Sequence, residues 1–235
     1  MNGYVMVGTN DLTSAKKFYD KAIKIDSSLN LALWNKGLVC LRQGNFKDGW
    51  PLFEKRWNTE MAAKERAYPY PVWDGKKTLT GKTILLHSEQ GLGDVIQFCR
   101  FVKDIEKKGA RVILEVRKTL VSLLSSMTSS IKVVDHVAGL NQEYGEPVDL
   151  RCPLMSLPAV LQVNIEDLSS KPYIRADQEM ASFFTKKFLE KKSPRIGIAW
   201  SGRAAHKNDH NRSISLLALS KLFSIDFEFH SLQVE

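Results

Sequence analysis

The sequence has little of what membrane-spanning, low-complexity or secreted proteins need. It contains no run of about 18 apolar residues, so no transmembrane helix is expected. Its 8 prolines and 14 glycines among 235 residues are too few for a low-complexity chain. The first residues carry neither a basic segment nor a long apolar one, so a secretory leader is not expected.

Cysteine is also scarce. The three cysteines, Cys40, Cys99 and Cys152, lie far apart and form no CxxC pair. This spacing suits neither a disulfide framework nor a metal site, so we expect no metal. A reducing cytosol is the simplest compartment for such a chain, which predicts a cytoplasmic protein.

The charge balance favours basic residues, with a formal net charge of +8. Such a balance suits an anionic partner: nucleic acid, anionic lipid or a phosphorylated small molecule. The densest basic clusters, Lys186-Lys187 and Lys191-Lys192, lie on a predicted helix that also carries Glu190. A solvated helix face explains them better than a nucleic-acid surface, so no nucleic-acid partner is expected.

A repeat is visible in the first 57 residues. Five positions recur about 34 residues later, one tetratricopeptide (TPR) length; the pairs are Gly3 and Gly37, Leu12 and Phe46, Ala15 and Gly49, Tyr19 and Phe53, and Ala22 and Arg56. Residues 33–42 and 46–57 would form one helix–turn–helix unit. The pattern predicts α-helical TPR repeats over residues 1–57, with a groove for a peptide partner. A plain helical hairpin with an aromatic core is the alternative.

From Lys82 onward, strand and helix patterns alternate, which is typical of a parallel α/β sheet. The predicted strands are 83–87, 111–116, 131–137, 148–152, 195–200 and 227–233, and the predicted helices are 94–107, 118–127, 177–190 and 213–223. We therefore expect a linker over 58–80, a Rossmann-like domain over 81–176, a connecting helix over 177–194 and a second α/β part over 195–235.

The loop HSEQGLGD, residues 87–94, follows the first predicted strand. Ligands of open parallel sheets bind at the carboxyl ends of strands, and glycines let the backbone turn tightly there. Gly91 and Gly93 match two glycines of the dinucleotide-binding pattern GxGxxG, but Ile96 holds the place of the third. The carboxylate of Asp94 would also repel a pyrophosphate, so we expect no dinucleotide and no other cofactor.

A further interpretation of this loop is an acceptor site with a carboxylate base. Asp94 is predicted to cap the helix start, where the helix dipole keeps it ionised, and a fixed carboxylate can take a proton from a substrate hydroxyl. Glu89 is the rival carboxylate, while Gln90, Gly91 and Gly93 would contact the substrate. Asp94 can equally be a helix cap and nothing more, and the residues alone leave both interpretations open.

A second loop, residues 201–213, follows the predicted strand RIGIAW. Lys207 and Arg212, with Ser213 at the predicted helix start, are candidates for binding a phosphate, because cations and free backbone N–H groups attract anions there. The alternative is an exposed basic loop in which Ser213 is only a helix cap.

Several motifs occur in an order that resembles a known family. The segment HSEQGLGDVIQFCRF follows PVWDG and precedes CPLMSLP, PY, GIAWSG, ND, RSI and SLQ. From about residue 33 to the end, the chain resembles bacterial TPR-containing glycosyltransferases of the GT-B type, related to the heptosyltransferases of glycosyltransferase family 9. The resemblance implies Asp94 as general base, a Rossmann-like N-terminal half on the acceptor side, and a nucleotide-sugar donor held by the part that begins at the strand 195–200.

The chain departs from that family in its second half. It stops after strand, helix and strand, and the family's later Asp-Thr-Ala…His-Leu-Ala-Gly pattern is absent. The resemblance therefore implies an incomplete C-terminal half and a fragment of a glycosyltransferase whose acceptor is unidentified. A non-enzymatic TPR scaffold with a vestigial α/β platform is the second hypothesis.

Overall fold

A computed structural model describes residues 11–60, 66–136, 144–188, 193–202, 204 and 209–233. The chain divides into two compact units, Met1–Asp177 and Gln178–Glu235. Helices and parallel strands make up both units, so the predicted mixed α/β class is confirmed. No helix in the described part of the chain is long and apolar enough to cross a membrane.

From residue 11 on, the described part of the first unit begins with three helices: α1 (Leu12–Ile25), α2 (Asn30–Arg42) and α3 (Phe46–Phe53). Helices α2 and α3 approach closely because Gly37 has no side chain. A Cβ atom there would lie 2.8 Å from the backbone nitrogen of Phe53.

The helix predicted over 46–57 is shorter than expected. The α-helix ends at Phe53, and a 3₁₀ turn covers Glu54–Asn58. Four residues of 3₁₀ helix turn roughly 80° further than four residues of α-helix. Trp57 thus leaves the buried face that Trp50 and Phe53 share, and it is only half-buried.

A four-stranded parallel sheet forms the centre of this unit: β1 (Thr83–His87), β2 (Arg111–Val116), β3 (Lys132–Asp135) and β4 (Leu150–Pro153). The order in the sheet is β3-β2-β1-β4. The chain moves from β1 outward to β3 and then returns to the other side of β1. The topological switch point of the sheet therefore lies between β1 and β4.

Helices cover one face of this sheet. They are α4 (Leu92–Phe98), α5 (Val102–Lys107), α6 (Lys118–Ser125) and the short α7 (Leu157–Val160), with a 3₁₀ turn at Cys99–Phe101 between α4 and α5. The helix predicted from Asp94 thus starts two residues earlier. Trp50 and Phe53 belong to the same core as the sheet residues Ile84 and Leu86. The Trp50 indole N–H also donates to the carbonyl of Val163 at 3.1 Å, so the helical segment and the sheet share one core.

The opposite face of the sheet is covered by an extended segment, residues 66–73, which we call the strap. Tyr68 and Tyr70 of the strap pack with Leu85 and Ile113 of the sheet. The strap also pairs with β4, because the Arg151 N–H donates to the Pro71 carbonyl at 2.9 Å and the Arg151 carbonyl accepts from the Trp73 N–H at 2.7 Å. This part of the predicted linker is packed against the sheet.

The second unit contains α8 (Gln178–Phe188), β5 (Arg195–Ile198), α9 (Leu216–Leu219) and β6 (Glu228–Ser231), with β5 and β6 parallel. The helix predicted from Ser213 starts later, at Leu216. Ser215 caps it by accepting from the Ala218 N–H at 3.2 Å. None of the described residues of this unit is buried.

Candidate functional site

The loop between β1 and α4 lies at the carboxyl edge of the sheet. Gln90, Gly91 and Gly93 are exposed there, and Asp94 is half-buried. A Cβ atom at Gly93 would meet no atom within 4 Å. The predicted substrate-contacting residues are therefore accessible to a ligand.

Asp94 is not the helix cap that the sequence predicted. Helix α4 begins at Leu92, Gly91 is the N-cap, and Asp94 is the third helical residue. Its Oδ2 accepts from the Gly91 N–H at 3.0 Å, which is the carboxylate half of a capping box. The local backbone therefore fixes this carboxylate, from a different position than expected.

Glu89 is enclosed, although the loop sequence gave no reason to expect a fixed direction for it. Its side chain is 5% exposed, and its Oε1 accepts from Nη2 of Arg56 at 2.7 Å. Arg56 stands 33 residues away in the chain. Since a guanidinium already occupies this oxygen, Glu89 is less accessible to a substrate proton than Asp94.

Four residues form what we call the Arg56 cluster: Arg56, Glu54, Glu89 and Ser156. Arg56 is 3% exposed, donates to carboxylates of Glu54 and Glu89, and lies 2.9 Å from the Ser156 hydroxyl oxygen. That hydroxyl donates to Glu54 Oε2 at 2.8 Å. The guanidinium also lies 4.7 Å from the ring centroid of Trp57. The cluster ties the end of the helical segment to the loop after β1 and to the 3₁₀ turn after β4.

A pocket of about 440 Å³ lies beside the Arg56 cluster. Its walls include Glu54, Trp57, Trp73, Asp74, Ser156 and Val160. Pro153, which ends β4 and pairs with His87 of β1, also lines it. The strap residues Val72 and Trp73 line it as well, so the pocket lies where the carboxyl end of β4 meets the strap, and we call it the β4–strap pocket.

A second buried polar group lies under the strap. Glu115, fully buried at the end of β2, accepts from the hydroxyls of Tyr68 at 2.7 Å and Tyr144 at 2.6 Å. It also pairs with Arg66 at 2.8 Å. Burial, and then hydrogen bonding to Glu115, raises the pKa of both tyrosines. The surrounding donors satisfy this carboxylate and hold the strap on the sheet.

His87, at the end of β1, belongs to the same buried region. Its Nε2 accepts from Nη1 of Arg151 at 3.3 Å, since an arginine can only donate, and its ring lies 4.5 Å from that of Tyr68. Burial, followed by the charges of Arg151 and Arg66, lowers the pKa of His87 to about 3. The imidazole is therefore neutral at neutral pH.

The predicted phosphate-binding loop is described only in part. Lys207 lies outside the described residues, and Arg212 is exposed. Ser213 is not a helix cap, because its hydroxyl donates to Asp209 Oδ1 at 2.7 Å and accepts from the Gly202 N–H at 2.9 Å. Its side chain shapes the loop instead.

The side chain of Gln233 binds the backbone at the start of this loop. Its Oε1 accepts from the N–H groups of Trp200 at 3.2 Å and Ser201 at 3.0 Å, and its Nε2 donates to the Ser201 carbonyl at 3.1 Å. These backbone donors are therefore engaged within the protein.

The sequence interpretation missed the Arg56 cluster and the β4–strap pocket. The signal was weak: Arg56 is one of three consecutive charged residues between Phe53 and Trp57, at a position where the repeat usually has a small residue. Its partners come from two distant loops, so spacing along the chain could not indicate them.

Among the described residues, no group of three or more His, Cys, Asp or Glu side chains could hold a metal ion. Comparison of the chain with protein families, with curated proteins and with solved structures found no match. The family resemblance therefore stays a prediction that rests on the sequence motifs.

Proposed function

We propose that this chain is part of an inverting, metal-independent GT-B glycosyltransferase, which transfers a sugar from a nucleotide-sugar donor to a hydroxyl of an unidentified acceptor. One observation carries the proposal: the Asp94 carboxylate is fixed by the Gly91 N–H in an open loop at the carboxyl edge of the sheet. General-base catalysis needs such a positioned, accessible carboxylate.

In the proposed reaction, Asp94 takes the proton from the acceptor hydroxyl as its oxygen attacks the anomeric carbon. The bond from that carbon to the diphosphate breaks, and the nucleoside diphosphate leaves with the bonding electron pair. Lys207 and Arg212 would neutralise the leaving diphosphate, with Ser213 shaping the loop. Gln90, Gly91 and Gly93 would contact the acceptor.

We also propose that α2 and α3 form a TPR unit. The 34-residue recurrence and the close packing of glycine against the neighbouring helix support this, since a Cβ atom at Gly49 would lie 2.6 Å from Leu41 Cδ2. Gly3, the first member of the recurrence, lies outside the described residues. Arg56 departs from the small residue usual at its position and makes the ion pairs described above.

A scaffold without enzymatic activity is the second candidate. It is favoured by apolar side chains exposed on and between the helices, Phe18, Leu29 and Leu31, which a bound peptide could cover. In that case the α/β unit would be a platform and Asp94 only part of a capping box.

Titration with nucleotide sugars separates the two candidates. The full chain, and any longer gene product that contains it, are titrated with UDP-, GDP- and ADP-sugars by calorimetry. We expect binding of at least one donor, weakened in Arg212→Ala and unchanged in the control Arg117→Ala. If no donor binds to the complete gene product, the transferase proposal is wrong.

A further inference from the structure

We propose that a basic pocket in the first unit binds the phosphate group of a phosphorylated ligand. The pocket has a volume of about 360 Å³ and lies between residues 100–107, which include α5, and residues 167–175. We call it the α5 pocket. All of its lining residues belong to the first unit, so the site is independent of the proposed donor loop 201–213.

Positive charge dominates the walls of the α5 pocket. The cationic side chains that line it are Arg100, Lys103, Lys107, Lys171 and Arg175. Two carboxylates, Asp104 and Asp167, line it as well, so the cations outnumber the anions five to two. A concave site lined mainly by one sign of charge concentrates ligands of the opposite sign.

The two carboxylates already have partners within the protein. Asp104 accepts from Nζ of Lys107 at 2.8 Å, and Asp167 Oδ2 accepts from the Asn164 N–H at 2.8 Å. The remaining cations have no ion pair in the described part of the chain; they are Arg100, Lys103, Lys171 and Arg175. Like charges that share a pocket repel one another, and a bound anion removes that repulsion.

Contacts of Tyr173 hold the two sides of the pocket together. The Tyr173 hydroxyl donates to the Ile96 carbonyl at 2.9 Å, and its ring centroid lies 4.9 Å from the guanidinium carbon of Arg100. Arg100 and Lys103 are half-buried, which restricts their side chains more than full exposure would. The cations therefore converge from two distant segments in a fixed arrangement, and a solvated helix face requires no such convergence.

The donor groups of the pocket match the oxygens of a phosphate. Guanidinium and ammonium groups only donate, and they form strong charge-assisted hydrogen bonds to phosphate oxygens. Ser169 lines the pocket too, and its hydroxyl oxygen accepts from the Lys171 N–H at 3.1 Å, which leaves the hydroxyl proton to donate to a ligand.

The size of the pocket indicates a small phosphate ester. Its volume of about 360 Å³ falls within the roughly 300–1,000 Å³ of small-molecule sites, so it has room for an organic group beside the phosphate. A nucleic acid would need a longer basic stripe along the surface.

Binding of glycerol 3-phosphate to the full chain, followed by ligand-observed NMR at constant ionic strength, tests this site. Glycerol is the neutral probe. Sedimentation with vesicles of phosphatidylcholine and phosphatidic acid, in a ratio of about four to one, presents the same phosphate ester on a lipid.

Two double variants of equal charge change show where the phosphate binds. Replacing both Lys171→Gln and Arg175→Gln should weaken binding at least about tenfold, because two charge-assisted contacts are lost. Both side chains are exposed, so their replacement should leave the fold intact. The control carries Lys76→Gln and Lys77→Gln, which lie outside the pocket and are also exposed, and it should bind like the wild type.

Each outcome decides for or against the α5 pocket. Binding of glycerol 3-phosphate, without binding of glycerol, that weakens only in the pocket variant would support a soluble phosphate ester. Vesicle binding that is lost in the same variant, without binding of glycerol 3-phosphate, would support a lipid headgroup at the same site.

Three other outcomes would overturn the site. Equal weakening in both double variants would mean that only the net charge matters. Binding that is lost in Arg212→Ala, and kept in the pocket variant, would place the phosphate in the loop 201–213. Binding of a DNA oligonucleotide alone, or of no probe at all, would rule out a phosphate ester as the ligand.

Discussion

The two carboxylates in the loop after β1 are held by partners of different kinds. Asp94 is fixed by a backbone N–H three residues before it, and Glu89 by a guanidinium that belongs to the helical segment. The first contact is local and survives small movements between elements. The second exists only when the helical segment is packed on the sheet.

The proposed base predicts a specific kinetic defect. Asp94→Asn should cost about 1 kcal/mol of stability or less, since only the charged half of the capping box is lost. Turnover should fall roughly a hundredfold or more, because an amide does not accept the proton. Glu89→Gln should reduce turnover less. The reverse order, measured in the complete gene product with both variants folded, would place the base on Glu89.

Arg56 should be one of the most costly residues to remove. In Arg56→Ala, Glu89 would lose its guanidinium partner in a buried position, and losing one member of a buried pair costs about 3–5 kcal/mol. The control is Lys82→Ala, which breaks the exposed pair with Asp149 and should cost at most about 1 kcal/mol. Urea unfolding of both variants checks this, and equal midpoints would contradict it.

His87 should make the fold sensitive to acid. The folded protein holds it neutral with a pKa of about 3, while the unfolded chain binds a proton below about 6.5. Stability is therefore complete above pH 6.5 and falls by roughly 1.4 kcal/mol per pH unit as the pH drops toward 3.

The variant His87→Gln isolates this contribution, because it keeps an acceptor for Arg151 and removes the titration. Denaturant unfolding between pH 7 and pH 4 should show a shallower loss of stability in the variant. Parallel curves for the two proteins would show that His87 does not titrate as proposed.

At the scale of elements, the packing of α2 on α3 depends on the absence of a side chain at Gly37. Gly37→Ala would bring a methyl group within 2.8 Å of backbone in α3, and overpacking of this kind costs about 1–3 kcal/mol. Gly93→Ala is the matched control, because its methyl group would meet no atom within 4 Å and should change stability by about 0.5 kcal/mol or less. Thermal unfolding compares them, and equal costs would mean that the helices are less tightly packed.

The strap is the element whose role differs most from the role that its sequence predicts. Its prolines and tyrosines are typical of a connecting segment, yet Tyr68 and Tyr70 pack on the face of the sheet opposite the helices. The Tyr68 hydroxyl donates to the buried Glu115, and the strap backbone pairs with β4. The sheet thus has helices on one face and an extended segment on the other.

At the scale of the whole molecule, the two units differ in how well they bury apolar surface. The first unit contains the core that joins the helices and the sheet. In the second unit, the described apolar side chains remain accessible, with Phe183 57% and Leu217 83% exposed. Exposed apolar surface of this extent favours association or loose packing.

Hydrogen exchange should therefore differ between the units. We expect backbone amides of the described residues after Pro194 to exchange about 100-fold faster than those of β1 and β2, because few buried contacts resist local opening. The chain should also tend to aggregate as the concentration rises. Strong protection of β5 and β6 in a monomer, measured by mass spectrometry and light scattering, would contradict both expectations.

The sequence by itself determined the local elements. The strands β1 and β2 have the predicted bounds, and the helices around Gly37 follow from a regular apolar pattern. The exposed glycine loop after β1 was also predicted, because neighbouring residues determine where a chain turns. The predicted N-cap, Asp94, was wrong by three residues. Gly91 can also serve as an N-cap, and the helix begins directly after it.

Only the tertiary structure decided where distant residues meet. Neither the switch point between β1 and β4 nor the pocket between β4 and the strap follows from spacing, because the strand order depends on which side of β1 the returning chain takes. The partners of Arg56 and of Glu115 could not be predicted from the sequence for the same reason. A buried charge is satisfied by whichever groups the fold brings within hydrogen-bond distance, and those groups lie up to about 100 positions away along the chain.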